Sequence, residues 1–122
     1  MSKVVQAVNA MIANPDLIGN VVRSSSGEFF FTYKSKYNWS IKRSSNSGSD
    51  FFLYFYPGGS SLNDLASIDD WDNVPMVHYS TKEIGTREAA QSFAELHGLL
   101  KERLYDVNTV LDDIIKDDDI PF

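Results

Sequence analysis

Apolar residues recur at helical spacing near the N-terminus, mostly at steps of three and four. The positions are Val4, Val5, Val8, Met11 and Ile12. A stripe of this kind is typical of an amphipathic helix that buries one face. Ser2 is a suitable N-cap, and Pro15 disfavours helix at the residue before it. The pattern predicts a helix over residues 2–14.

The middle of the chain has the pattern of strands. Segments rich in aromatic and β-branched residues are separated by short runs of Ser, Asn, Gly and Lys, which favour turns. These segments span residues 18–23, 28–33, 39–43 and 51–56. Short connections of this kind predict an antiparallel meander. Residues 75–80 predict a fifth strand, and the capping-box spacing of Ser61 and Asp64 predicts a short helix over residues 61–68.

Helical spacing returns over residues 86–116, with Thr86 as the predicted N-cap. The apolar positions are Ala89, Phe93, Leu96, Leu100, Leu104, Val107, Leu111 and Ile114. An unbroken helix of this length would extend ~45 Å, which exceeds the width of so small a domain. Two outcomes remain open. The helix breaks near Asp106–Asn108, or its seven-residue repeat (Phe93, Leu100, Val107 and Ile114) packs against a second copy as a homodimer.

These elements predict an α+β fold in which an antiparallel sheet of about five strands packs against an N-terminal helix and a long C-terminal helix. The length of 122 residues suits one domain, which we place at residues 1–116. The chain has no cysteine, so disulfides and thiolate chemistry are excluded. It has no apolar run of about 18 residues and no signal-peptide pattern at its N-terminus, so we expect a cytoplasmic protein.

Charge is distributed unevenly along the chain. Residues 1–60 contain six basic and three acidic residues, whereas residues 61–122 contain five basic and fourteen acidic ones. The net charges are therefore +3 for the first segment and −9 for the second, which agrees with the total of −6. This asymmetry favours an anionic partner for the front of the chain and a basic partner for the rear.

The last six residues, 117–122, form an acidic tail with an apolar tip. They are Asp117, Asp118, Asp119, Ile120, Pro121 and Phe122. Pro121 favours an extended backbone at Ile120, and the chain then ends on an aromatic ring. A partner can take such a peptide by enclosing the ring in a pocket and placing basic side chains along the aspartates.

This tip resembles the C-terminal tip of bacterial single-stranded DNA-binding proteins, in which an acidic tail ends in Asp-Asp-Asp-Ile-Pro-Phe or a close variant. The resemblance covers residues 117–122. It implies docking onto replication, recombination and repair proteins that have a pocket for that tail.

Basic and aromatic residues are interleaved along the predicted strands. Single-stranded nucleic acid is held by such sets, because cations follow the phosphates and rings stack on the bases. The predicted nucleic-acid-binding residues are Arg23, Tyr33, Lys34, Lys36, Tyr37, Trp39, Lys42 and Arg43. The alternative is that the aromatic rings, with Phe29 to Phe31, form the core and the bases are solvated.

The sequence offers little for catalysis, so we predict neither an enzyme nor a cofactor. His78 and His97 are isolated on a strand and a helix. Pro57 to Ser61 lacks the lysine and spacing of a phosphate-binding loop. The run Asp69–Asn73 has oxygen ligands for a divalent cation but lacks the glycine and distal glutamate of a calcium loop, so a solvated loop is favoured and no metal is predicted.

The resemblance and the charge pattern predict a non-enzymatic accessory protein of bacterial or phage DNA metabolism. It would bind single-stranded DNA, dock through its tip onto replication or repair proteins, or do both. The alternative is a small acidic protein-binding or inhibitor module, of prophage or immunity type, which does not bind DNA.

Overall fold

The computed structural model describes residues 2–44, 50–58, 61–67 and 74–118. A five-stranded antiparallel sheet, in which each strand pairs with the next along the chain, forms the centre of the fold. The strands are β1 (Ile18–Arg23), β2 (Phe29–Tyr33), β3 (Tyr37–Arg43), β4 (Phe51–Tyr56) and β5 (Val77–Ser80). The predicted α+β fold is confirmed.

Five α-helices accompany the sheet in the described residues. They are α1 (Lys3–Ala13), α2 (Leu62–Ala66), α3 (Thr81–Ile84), α4 (Arg87–Leu104) and α5 (Val107–Asp118). Three predicted N-caps are confirmed, because the side chains of Ser2, Ser61 and Thr86 each accept a backbone N–H in the first turn of α1, α2 and α4. The short helix α3 was not predicted. Its N-cap is Ser80, and Gly85 ends it in the left-handed conformation, with φ 73°.

One face of the sheet carries the main core. Alternate residues of β2, β3 and β4 point to this face and meet the apolar stripes of α1 and α4. Its buried members include Val8, Met11, Phe31, Ile41, Leu53, Phe93, Leu96 and Leu100. The prediction that the N-terminal and long C-terminal helices cover one face is confirmed.

The opposite face of the sheet carries a second, smaller core. Phe30 of β2 and Tyr56 of β4 pack there against Leu62 and Leu65 of α2. Helix α2 contacts β1 and β2. Toward β3, β4 and β5, the described side chains on this face range from buried, as for Ser40, Tyr56 and Ser80, to half-buried or exposed, and this part of the face forms the candidate site described below.

The helix predicted over residues 86–116 is interrupted. This confirms the first of the two predicted outcomes, a break near Asp106–Asn108. Helix α4 ends at Leu104, and Asp106 turns the chain with a positive φ of 53°. Asp106 Oδ1 accepts a hydrogen bond of 2.9 Å from the Thr109 hydroxyl at the start of α5. Phe93 and Leu100 are fully buried in the protein's own core. The predicted seven-residue seam on one continuous helix is therefore wrong, because half of its members are unavailable to a second copy.

His97 lies on α4 between two core rings, 4.8 Å from the Phe29 centroid and 5.2 Å from that of Phe51. Burial, followed by the positive charges of Arg43 and Lys101, lowers the pKa of His97 below its ordinary value of 6.5. Below about pH 6.5 the unfolded chain therefore binds a proton that the folded chain does not, so stability should fall as the pH falls.

The contribution of His97 to this loss is limited to about 1.4 kcal/mol per pH unit, the value for one proton. Urea unfolding from about pH 7 to about pH 5 would measure it, with His97→Phe as the comparison because it keeps a ring that does not titrate. We expect the difference in stability between the two proteins to change across this range. Parallel curves would contradict the assignment.

Candidate functional site

The predicted nucleic-acid-binding residues do not form one surface. Arg23 and Arg43 lie at the ends of β1 and β3, whereas Lys34 and Lys36 lie in the β2–β3 turn at the opposite end of the strands. Lys42 neighbours Arg43 on β3 and therefore points to the other face of the sheet. The structure thus divides this set between two ends and two faces.

The rings of that set differ in accessibility. Tyr33 is only 8% exposed and belongs to the main core, so its ring cannot stack on a base, which corrects the prediction for this residue. Trp39 is half-buried and packs on Phe55, with centroids 4.9 Å apart. Its indole N–H is buried without a hydrogen-bond partner in the described part of the chain. Tyr37 is exposed, and the Lys36 ammonium lies 5.0 Å from its ring centroid.

Both arginines of the set have partners within the chain. The Arg23 guanidinium donates a hydrogen bond of 3.4 Å to the Tyr105 hydroxyl, beyond the end of α4. The Arg43 guanidinium lies 5.6 Å from the ring centroid of Phe51. These contacts favour the alternative of core rings with solvated bases for this end of the sheet.

Another combination of basic and aromatic residues forms on the face of the sheet opposite the main core, toward β5. The rings of His78, Tyr54 and Tyr56 follow one another across β5 and β4, with centroid distances of 6.0 and 6.5 Å and interplanar angles of 26° and 22°. The Lys42 ammonium lies 5.8 Å from the ring centroids of both Phe52 and Tyr54. We call this surface the aromatic face and define it by Lys42, Phe52, Tyr54, Tyr56 and His78.

A buried carboxylate lies at the edge of the aromatic face. Glu28 precedes β2 and is only 9% exposed. The Ser40 hydroxyl donates to its Oε2 atom, and the Tyr56 hydroxyl lies 2.7 Å from the Ser40 hydroxyl and 3.4 Å from the same carboxylate oxygen. In the described residues, no basic side chain approaches this carboxylate within 4.0 Å. In the described residues, the Glu28 carboxylate is therefore hydrogen-bonded by hydroxyl groups and has no positively charged partner.

The hydroxyls beside Glu28 keep their protons. Burial is the largest cause that raises the pKa of Tyr56 far above its ordinary value of 10.0, and the charge of Glu28 adds to this shift. Burial and then the charge of Glu28 also raise the pKa of Tyr54. Both tyrosines therefore act as neutral rings with hydrogen-bond donors at physiological pH.

A cavity of about 210 Å³ opens between the carboxylate and the aromatic face. Glu28 and Lys42 both line it, together with Tyr54, Tyr56 and Met76. The cavity therefore has an acidic side chain, a basic side chain and an apolar wall that includes aromatic rings. Sequence reasoning missed Glu28, Ser40, Tyr54, Tyr56 and Met76 as site residues; the alternation of β4, which puts every second ring on this face, was the available signal.

The second unusual surface is α5, which carries an uncovered apolar stripe. Four of its aliphatic residues are about half exposed: Val110 (53%), Leu111 (49%), Ile114 (60%) and Ile115 (59%). Helical spacing places Asp112 and Asp113 on either side of this stripe. A large apolar stripe on a solvated helix marks a surface that another molecule covers.

The predicted docking tail lies partly outside the described residues. Helix α5 runs to Asp118, so Asp117 and Asp118 continue the helix, and Asp119, Ile120, Pro121 and Phe122 are not described. The run Asp69–Asn73 also lies outside the described residues. Within the described ranges, no cluster of three or more acidic, histidine or cysteine side chains is placed to hold a metal ion.

His78, the other histidine considered for catalysis, is exposed on β5, and its Nε2 atom lies 3.4 Å from Glu83. None of the helices in the described part of the chain has the length and hydrophobicity needed to cross a membrane.

Comparison with protein-family models, curated proteins and solved structures finds no match to this chain.

Proposed function

We propose that the chain is a non-enzymatic accessory protein of bacterial or phage DNA metabolism that docks onto other proteins through its C-terminal arm. The C-terminal arm is α5 together with residues 119–122. The observation that carries the proposal is the stripe of four half-exposed aliphatic residues on α5, from Val110 to Ile115, bordered by aspartates. This helix leads directly into the acidic tail whose sequence resembles a docking peptide.

The chemistry of the arm defines the kind of partner. An amphipathic helix docks by placing its apolar residues in a groove, and the anchors lie at three- and four-residue steps. Flanking aspartates favour a groove with basic side chains at its rim, which also accelerates association. Replication and repair proteins with a pocket for the tail of single-stranded DNA-binding proteins fit this description.

The same arm also supports the alternative function, a small acidic inhibitor module with no DNA binding. The division of the predicted nucleic-acid-binding residues between two ends and two faces of the sheet favours docking over direct binding of DNA by that set. The two functions differ in what the partner recognises. A docking protein shares its pocket with the single-stranded DNA-binding tail, whereas an inhibitor does not need that pocket.

The test is a titration of the purified chain against a protein that binds the single-stranded DNA-binding tail, with the tail peptide as competitor. We expect binding that the peptide displaces. Leu111→Ser combined with Ile114→Ser should weaken it at least about tenfold, because exposed anchors lose their apolar contacts without any change in the core. Val77→Ser is the matched control, because Val77 is similarly exposed, at 46%, but lies on β5.

Three results would count against this proposal. They are no binding by the intact chain, full binding by the double α5 variant, and binding that the tail peptide does not displace. If the tail peptide does not displace the chain but the double α5 variant loses binding, the inhibitor module would be favoured.

A further inference from the structure

The cavity beside the aromatic face is a second binding site, separate from the C-terminal arm. We propose that it binds a nucleobase bearing an exocyclic amino group, with the amino group at Glu28, the ring on Tyr54 and the phosphate of the same nucleotide at Lys42. This inference does not rest on the docking function, because it uses β3, β4 and the residue before β2, whereas docking uses α5.

The Glu28 carboxylate can accept a further hydrogen bond. Among the residues that the structure describes, the neutral hydroxyls of Ser40 and Tyr56 approach one of its oxygens, Oε2. A buried carboxylate is costly unless donors surround it, and a donor on a ligand would form a charge-assisted bond with the other oxygen. The exocyclic amino groups of cytosine and adenine are such donors, whereas the corresponding carbonyl oxygen of uracil or thymine would face the carboxylate and be repelled.

The position of Lys42 favours a neutral donor over a cation. Lys42 lines the same cavity but forms no ion pair with Glu28. A ligand with a second positive charge would be repelled by the Lys42 ammonium. A ligand with a neutral amino group at one end and a phosphate at the other satisfies both charged groups, because an ammonium is a strong point-charge partner for phosphate.

The wall and size of the cavity favour a single flat ring. Tyr54 is half-buried, and it lines the cavity together with Met76, so these two side chains supply an apolar wall against which a flat ring can pack. Proteins that bind single-stranded nucleic acid place bases against aromatic side chains in this way. A cavity of about 210 Å³ is smaller than the pockets of about 300 Å³ and above that hold drug-sized ligands. It therefore suits one base, and the sugar and phosphate would extend toward Lys42.

The test compares cytidine and uridine monophosphates, which differ in the amino or carbonyl group at ring position 4 and in the proton that uracil carries on the neighbouring nitrogen. Titration followed by NMR should show cytidine monophosphate binding about 5- to 150-fold more tightly, the range that one base-specific hydrogen-bonding pair provides. Glu28→Gln should abolish this preference, because an amide both donates and accepts. Lys42→Met should weaken both nucleotides, and Lys36→Met in the β2–β3 turn is the matched control.

Two further arms distinguish the source of the nucleotide. Binding of the mononucleotide indicates a free nucleotide, whereas a preference for short oligodeoxycytidine over oligothymidine, without mononucleotide binding, indicates a base within a strand. Either result supports the site. Equal binding of cytidine and uridine monophosphates, or binding of methylammonium in place of a nucleotide, would overturn it, as would binding of no nucleotide or strand. The comparison on the unmodified chain stands even if Glu28→Gln fails to fold.

Discussion

Phe93→Ala should lower the free energy of unfolding by about 3–5 kcal/mol, whereas Ile114→Ala should change it by less than about 0.5 kcal/mol. Phe93 is fully buried on α4 and packs in the main core between α1 and the sheet. Its removal would leave a cavity that rigid neighbours on both sides cannot close. Ile114 is 60% exposed on α5, so its truncation removes little buried apolar surface.

Urea unfolding of the two variants measures this difference, and sedimentation at micromolar concentration provides the control for association. Comparable losses in the free energy of unfolding for Phe93→Ala and Ile114→Ala, accompanied by dissociation of a dimer, would instead support a continuous helix with a dimer seam. A large loss for Phe93→Ala alone, without a change in mass, agrees with a helix that breaks after Leu104.

Deleting Phe122 should weaken partner binding by about 30- to 1,000-fold, which corresponds to a loss of roughly 2–4 kcal/mol for a buried aromatic anchor. The deletion removes the ring and moves the terminal carboxylate of the tested chain onto Pro121. Asp118→Asn should have a much smaller effect, because charges at the rim of an interface mainly change the association rate and its salt dependence.

The measurement is the titration described for the C-terminal arm, repeated at two salt concentrations. Thermal unfolding of both variants should match that of the intact chain, because an acidic tail of this composition has too little apolar surface to add to a core. Equal affinity with and without Phe122 would show that the resemblance of the tip has no functional meaning, even if α5 itself docks.

The strands and helix starts could be predicted because local chemistry determines them. Ser2, Ser61 and Thr86 each precede an apolar stripe at the spacing that a capping hydroxyl requires, and all three cap their helices. The aromatic segments of the middle strands are too short and too rich in β-formers for helices. Order along the chain then sufficed for the topology, because each strand pairs with its successor.

The break after α4 could be located only approximately. Phe93 and Leu100 are seven positions apart, and that spacing is shared by a coiled-coil seam and by a helix that packs one face on its own domain. The decision depends on Asp106, which adopts a positive φ that is uncommon for residues other than glycine. Tertiary packing around α4, rather than local propensity, favours the helix that packs one face on its own domain over the coiled-coil seam.

The candidate site was less predictable because it depends on strand register. Glu28, Ser40 and Tyr56 are separated by 12 and 16 positions, and they meet only because β2, β3 and β4 align as observed. A shift of one residue would place Ser40 on the opposite face. The same alternation separated Lys42 from Arg43, which the sequence places side by side.

The covering of the sheet by α4 has a consequence for synthesis on the ribosome. The hairpins of β2, β3 and β4 are local, so they can form as soon as residues up to Tyr56 have emerged. The side chains that seal Phe31 and Ile41 from water include Phe93, Leu96 and Leu100, which are translated about forty residues later. At the usual rate of about 5–20 residues per second, the nascent sheet therefore exposes its aromatic core side for a few seconds. During that interval this side of the sheet is open to chaperones and to the same side of another unfinished chain.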